Sequence, residues 1–196
     1  LIRSDGLDTR EKVVEWQVDL RQRQQSVDRL EVTSRQLEKL SLEDTLTGIP
    51  NRRSFELYAA ELLRVGMERG QPPCVALIDV DRFKQINDQF SHQVGDAVLK
   101  HIGHILKSHV REEDMAARLA GDEFVIVFKN AELGIAQQVC ARIQAAVRSF
   151  DWPSIAPGLE SSISVGVAVA LPGDSVESLT HRSDQAMYAE KNKRRA

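Results

Sequence analysis

The sequence predicts an α+β domain whose helices flank a mainly antiparallel sheet, with one long helix ahead of it. Three stretches carry that prediction. Cys74 to Val80 (Cys-Val-Ala-Leu-Ile-Asp-Val) is a nearly continuous apolar run, as a central strand buried on both faces would be. Met115 to Ala120 and Glu123 to Phe128 are short apolar runs with a break at Gly121, where glycine can take φ > 0 without steric cost, so they read as a β-hairpin. Ser162 to Val169 alternates, with Ile163, Val165, Val167 and Val169 on one face and Ser, Gly and Ala on the other. Helical patterns separate these strands, and a hairpin with helices on one side of the sheet gives the class.

The 196 residues suit one domain plus an appendage, and 42% apolar residues can fill a core. A net charge of −3 with mixed signs displays no basic face for nucleic acid. No apolar run approaches the ~20 residues of a membrane span, so no membrane contact is expected of this segment. The chain begins at Leu1 rather than Met and reads as cut from something longer. Cys74 and Cys140 lack metal-ligand spacing and read as buried thiols of a cytoplasmic protein.

Residues 11 to 40 contain neither Gly nor Pro and read as one helix. Val13, Trp16, Leu20, Val27, Leu30 and Leu37 share one heptad frame, which suits a short parallel coiled coil; the alternative is a single amphipathic helix packed on its own domain. The expected division is therefore 1–42 for this helix and 43–196 for the globular domain. Gly48 and Pro50 break the pattern, and Asn51 can cap a helix bearing Phe55, Tyr58, Ala59, Leu62 and Leu63 on one face. After the central strand, Gly95-Asp96 opens a helix with Val98, Leu99, Ile102, Ile105 and Leu106 inward. Asn130 can cap the next helix, to about Val147, and residues 149 to 160 read as loop. A last helix begins near Val176 and ends in Lys191-Asn-Lys-Arg-Arg195, a basic end that is either a solvated terminus or a phosphate clamp.

Asp79 closes a buried strand, where a carboxylate is costly unless paired or bound to a cation. Its D-x-D spacing suggests a calcium loop, but Lys84 stands where an EF-hand needs Gly. Asp122 and Glu123 at the hairpin tip are either an ordinary solvated turn or a presented carboxylate pair. With the hairpin beside the central strand, three carboxylates would share one pocket and would need divalent cations between them. Mg²⁺ prefers such hard oxygen ligands completed by phosphates, and paired ions suit in-line phosphoryl displacement. Lys84 and the basic end would hold outlying phosphates. His101 and His104 lie one turn apart, as a metal pair or as packing histidines.

From about Asp44 to Arg195 the chain resembles a GGDEF domain, that is, a diguanylate cyclase. The resemblance rests on Asp44-Thr-Leu-Thr-Gly-Ile-Pro-Asn-Arg-Arg53, Asp79-Val-Asp-Arg-Phe-Lys-Gln-Ile-Asn-Asp88, and His92 followed by Gly95-Asp96. It continues through Arg118-Leu-Ala-Gly-Asp-Glu-Phe124, Ser164-Val-Gly-Val167, and Asp184-Gln-Ala-Met-Tyr188 with Lys191. It implies a polymerase-palm-like, nucleotidyl-cyclase-like fold and condensation of two GTP into cyclic di-GMP with release of two pyrophosphates. Each subunit of a homodimer would present one GTP with two Mg²⁺ (or Mn²⁺), and each 3′-hydroxyl would attack the other α-phosphate. The runner-up is a catalytically silent domain that binds GTP or cyclic di-GMP as a receptor.

Position by position, the resemblance makes Asp79, Asp122 and the Val80 carbonyl metal ligands, and Glu123 the catalytic acid and a further ligand. Asn87 and Asp96 match guanine readers, walled by Leu46 and Leu99. Lys84, Lys191 and Arg195 match phosphate holders, helped by backbone N–H groups around Arg82 and Phe83. Arg111 and Asp114 match an R-x-x-D inhibitory product site, to which Arg142 is an addition; the alternative for that pair is an exposed ion pair. Ala120 replaces the signature's first Gly and Ser91 the Gly usual before His92. The leading helix would be the output of an upstream sensor, setting the register of the dimer.

Overall fold

A computed structural model describes residues 42–195, along with Trp16, Gln17, Arg21, Arg23 and Gln24, which are helical. The heptad positions Val13, Leu20, Val27, Leu30 and Leu37 lie outside the described residues. The chain divides into two compact units, Leu1–Ser41 and Leu42–Ala196.

Asn51 caps helix α1 (Arg52–Glu68), its side chain accepting from the Ser54 amide at 3.1 Å. The central strand β1 (Cys74–Val80) follows. A short helix α2 (Phe83–Gln89), absent from the sequence reading, comes next. Seven residues are too few to show helical periodicity, which is why it escaped detection. Helix α3 (His92–His109) begins before Gly95, because Ser91 Oγ accepts from the Val94 amide and caps it. Strands β2 (Met115–Ala120) and β3 (Glu123–Phe128) form the expected hairpin, with Gly121 at φ 49°. Helix α4 (Leu133–Ser149) starts from Glu132 rather than Asn130, which instead takes φ 54° in the turn after β3. A 3-10 turn (Trp152–Ser154) interrupts the expected loop, followed by β4 (Ile163–Val169) and α5 (Val176–Arg195).

The sheet runs β2-β3-β1-β4, and every adjacent pair is antiparallel. Helices cover both faces rather than one. On one face, Ala76, Ile78, Phe124, Ile126 and Ile163 pack with Leu99 and Ile102 of α3 and Cys140 and Ile143 of α4. On the other, Val75, Leu77, Val125 and Val127 pack with Phe55 and Leu63 of α1 and Leu179 and Met187 of α5. Each fully buried Ile, Leu or Phe contributes about 1.5–3 kcal/mol, so both layers are needed to hold the sheet. The alternation predicted for β4 marks which residues meet which layer, not core against solvent. Gly166 explains its small face: a Cβ there would lie 2.1 Å from the Met187 amide nitrogen and from the Ser183 carbonyl oxygen, so α5 rests directly on the strand. Ser183, fully buried, ties α5 to the neighbouring strand β1 by donating to the Val75 carbonyl at 3.0 Å.

Cys74 and Cys140 are buried and unpaired, and burial pushes their thiols up to about 11 and about 12, which keeps them protonated. Among the described residues no helix is long and apolar enough to cross a membrane.

Candidate active site

Strand parity decides where the acids go. Along β1, Cys74, Ala76, Ile78 and Val80 face the α3–α4 layer, so Asp79 shares the α5 side with Val75 and Leu77. Along β3, Glu123 shares that side with Val125 and Val127. The register pairs Asp79 directly with Glu123, and the Val80 amide donates to the Asp122 carbonyl at 3.2 Å. The hairpin tip therefore lies beside the end of β1, with Asp79, Asp122 and Glu123 all half-buried.

Helix α5 supplies the cation. Pressed against Gly166, it carries Lys191 to the same end of the sheet, where Nζ donates to Asp79 Oδ1 at 2.7 Å. Burial still holds the Asp79 carboxyl above its ordinary range, against the lowering effect of Lys191, and the nearby Asp122 and Asp81 push it up further. Among the described residues no three His, Cys, Asp or Glu side chains converge at metal-ligating spacing; Asp79 faces the Lys191 ammonium instead. The side chain of Arg195 lies outside the described residues.

Two assignments the sequence reading did not make complete this end. Asp81, left unassigned after the calcium loop was set aside, accepts from Ser162 Oγ at 2.5 Å and Ser164 Oγ at 2.6 Å, tying the exit of β1 to β4. Arg118 grips the hairpin. It donates through Nε and Nη2 to the Gly121 carbonyl at 3.0 and 2.7 Å, and through Nη1 to Asp44 at 3.0 and 3.2 Å. Burial alone would raise the Asp44 carboxyl; hydrogen bonds from Thr47 and Arg118 outweigh it and hold it below its ordinary value. The signal was present, since Arg118 opens the signature and Asp44 opens the first motif, but their pairing crosses 74 positions and no periodicity reports it.

The remaining candidates occupy two places. Asn87 on α2 packs against Gly95 of α3, one residue before Asp96. The glycine makes this approach possible, since a Cβ there would fall 2.0 Å from Asn87 Oδ1. Asp96 is exposed and Asn87 and Leu46 half-buried, while Leu99 is 2% exposed and belongs to the core. Arg82 takes φ 56° ahead of α2, and Arg82 and Lys84 are exposed while Phe83 is half-buried. Ser91 stands at φ 145°, a region that favours glycine, whereas Ala120 is not among the positive-φ residues, so its methyl strains nothing.

At the far end of the sheet, Asp114 accepts from the amides of Arg111 at 3.4 Å and Lys129 at 2.9 Å, which joins the start of β2 to the end of β3. Burial nevertheless leaves its carboxyl raised. Arg111 is exposed, with Glu113 at 4.0 Å, and Arg142 Nη2 donates to the His109 carbonyl at 3.1 Å. His101 is a packing residue, stacked at 4.7 Å on Phe150; His104 is exposed.

Residues 41–196 match the family described as "Diguanylate cyclase, GGDEF domain", and the chain belongs to it. A diguanylate cyclase of Pseudomonas aeruginosa, TpbB, is 36% identical over 158 residues, covering 78% of this chain and 35% of that protein. The chain thus spans about a third of that relative's length. The crystal structure of the P. aeruginosa diguanylate cyclase SiaD in complex with its activator SiaC superposes with a TM-score of 0.73 at 30% identity, covering 93% of this chain and 72% of that one. The coiled coil and GGDEF domain of DgcB from Caulobacter crescentus, in complex with c-di-GMP, superposes at 0.72 and 26% identity, covering 90% of this chain and 94% of that one.

Proposed function

We propose that this domain condenses two GTP into cyclic di-GMP and two pyrophosphates across a homodimer, each 3′-hydroxyl attacking the α-phosphate of the other nucleotide. The observation that carries the reading is the register of Asp79 with Glu123 at the hairpin end of the sheet, on the face where Lys191 arrives. Family membership and the similarity to diguanylate cyclases support it.

The donor set fits a hard divalent cation: the carboxylates of Asp79, Asp122 and Glu123 and the carbonyl of Val80 are all oxygen ligands. Bound there, Mg²⁺ or Mn²⁺ would neutralise phosphate charge and lower the pKa of an attacking hydroxyl. Glu123 accepts the proton of the 3′-hydroxyl as it attacks. Lys191, released from Asp79, turns to the outer phosphates with Lys84, Arg195 and the backbone amides near Arg82 and Phe83. Asn87 and Asp96 read guanine, the amide toward O6 and the carboxylate toward N1–H and N2–H, with Leu46 walling the base. Product accumulates at Arg111, Asp114 and Arg142 and slows turnover; an Arg can stack on guanine or fork onto its Hoogsteen edge. Residues 1–40 supply the dimer contact as a parallel coiled coil driven by an upstream sensor, and their deletion is expected to abolish both dimerisation and activity.

The test is incubation with GTP and Mg²⁺, with products identified by mass, beside Glu123→Gln. Cyclic di-GMP from the wild type alone supports the cyclase and the role of Glu123. Calorimetric binding of GTP or cyclic di-GMP without turnover, by a dimeric and inhibitor-free sample, would favour the receptor.

A further inference from the structure

Helices α4 and α5 lie on opposite faces of the sheet, α4 with the Cys140 and Ile143 layer and α5 with the Leu179 and Met187 layer. β4 is an edge strand, so a side chain can pass from one helix to the other around its outer side. Gln144 of α4 makes that crossing. Its amide nitrogen donates to the Ile163 carbonyl, at the start of β4, at 3.3 Å and to Glu190 Oε1 of α5 at 3.1 Å. Gln144 is 9% exposed and stands one turn along α4 from Cys140, between the core residues Ile143 and Val147. An amide is costly there unless its N–H groups are paired, and these two acceptors pair both. Burial and then the Glu190 charge raise the Cys140 thiol, which sets the same carboxylate close to α4.

What this contact holds is the end of α5. Among the described side chains Met187 is the last of that helix to be buried; Tyr188 and Ala189 are exposed, and Glu190 and Lys191 half-buried. Lys191 thus sits about one turn beyond the point where the core grips the helix. A terminal turn with few buried contacts frays. Asp79 holds the Lys191 ammonium at 2.7 Å, but that contact is the one surrendered when a cation takes Asp79 and the lysine turns to phosphate. The bond from Gln144 to Glu190 does not involve Asp79 and persists through the exchange.

We propose that Gln144 is a positioning residue: by holding Glu190 around the edge of β4, it fixes the final turn of α5 and so the place from which Lys191 reaches phosphate. The inference rests on the reading of Lys191 as a phosphate holder. Gln144 acts through Lys191, not on the nucleotide.

The test is a double-mutant cycle read as affinity for a non-hydrolysable GTP analogue with Mg²⁺, measured calorimetrically on the full chain. Lys191→Met is expected to weaken binding about tenfold, through loss of a charge-assisted contact. Gln144→Met and Glu190→Ala should each weaken it about threefold alone and not at all beside Lys191→Met. Glu190→Gln keeps the acceptor oxygen and should bind as the wild type does. Glu190→Ala leaves the bond from Gln144 to Ile163 intact, so it reads the tie to α5 even if Gln144→Met unfolds the domain.

A merely structural Gln144 would lower the thermal midpoint while its effect on affinity added to that of Lys191→Met, and such additivity overturns the proposal. A loss in Glu190→Gln equal to that in Glu190→Ala overturns it too, since charge rather than the hydrogen bond would then matter. Wild-type affinity in Gln144→Met and Glu190→Ala, with Lys191→Met weakened, overturns the proposal and leaves the role of Lys191 standing. Undiminished binding by Lys191→Met would instead remove the phosphate-holding reading itself, and this inference with it.

Discussion

Asp44 and Asp79 each face a cation, yet their carboxyls shift in opposite directions. Asp44 sits at a corner that satisfies it fully: the Thr47 amide at 2.9 Å, the Thr47 hydroxyl at 2.6 Å and two contacts from Arg118. Its charge is stabilised, and the corner in turn holds the Gly121 carbonyl through the same guanidinium. Asp79 has one lysine donor and has Asp81 and Asp122 nearby, so burial and repulsion outweigh the ion pair. A carboxylate that the fold satisfies is architecture. One that the fold leaves under-compensated, beside others of its kind, is kept for a ligand.

Mutation of each side should sharpen that contrast. Asp79→Asn and Glu123→Gln are expected to lower turnover by about 100-fold or more, as loss of a ligand or a general base does, while the thermal midpoint of the metal-free protein stays level or rises. A clear fall in that midpoint would make Asp79 structural. Arg118→Ala is expected to do the reverse in kind, costing about 2–3 kcal/mol in denaturant unfolding because Asp44 and the Gly121 carbonyl lose charge-assisted bonds together. Gly166→Ala tests how Lys191 is delivered. The added methyl meets backbone of α5, so a loss of about 1–3 kcal/mol is expected, with weaker binding of a non-hydrolysable GTP analogue.

The pH dependence separates the two aspartates by sign. The folded Asp44 carboxyl lies below its ordinary 3.8, so its ionised form stabilises the fold above that value and the contribution is lost as pH falls through the folded pKa. Asp44→Asn should therefore lower stability near neutrality, and the gap to wild type should close as pH falls through the folded pKa in acid titrations followed by circular dichroism. A gap that persists in acid would show that shape, not charge, holds the corner. The smallest effect is expected at Ser91, where φ 145° strains a residue with a side chain, while its cap on Val94 is long at 3.3 Å. Ser91→Gly should stabilise by roughly 0.5–1 kcal/mol, read as a rise in thermal midpoint.

Elements with a strong period were legible. The hairpin around Gly121, the buried run from Cys74 and the capped helix after Asn51 lie where the sequence puts them. Short or cap-dependent features were not. The helix Phe83–Gln89 is too brief for its pattern, and the starts of α3 and α4 turned on Ser91 and Glu132, of which only Ser91 makes a side-chain cap. Asn130 offered the better capping side chain but was drawn into the left-handed turn leaving β3.

By itself the sequence determined the class of fold, the α+β sheet with its hairpin, because side-chain periodicity and glycine placement are local properties that survive in one dimension. It also determined which acids belong to the family's signature, because the motifs are contiguous. Only the tertiary structure decided that both faces of the sheet are covered, that Arg118 reaches back to Asp44, and that Lys191 rests on Asp79 across 112 positions. Those contacts depend on register and on how closely α5 can approach Gly166, and distance through space is not written in neighbouring residues.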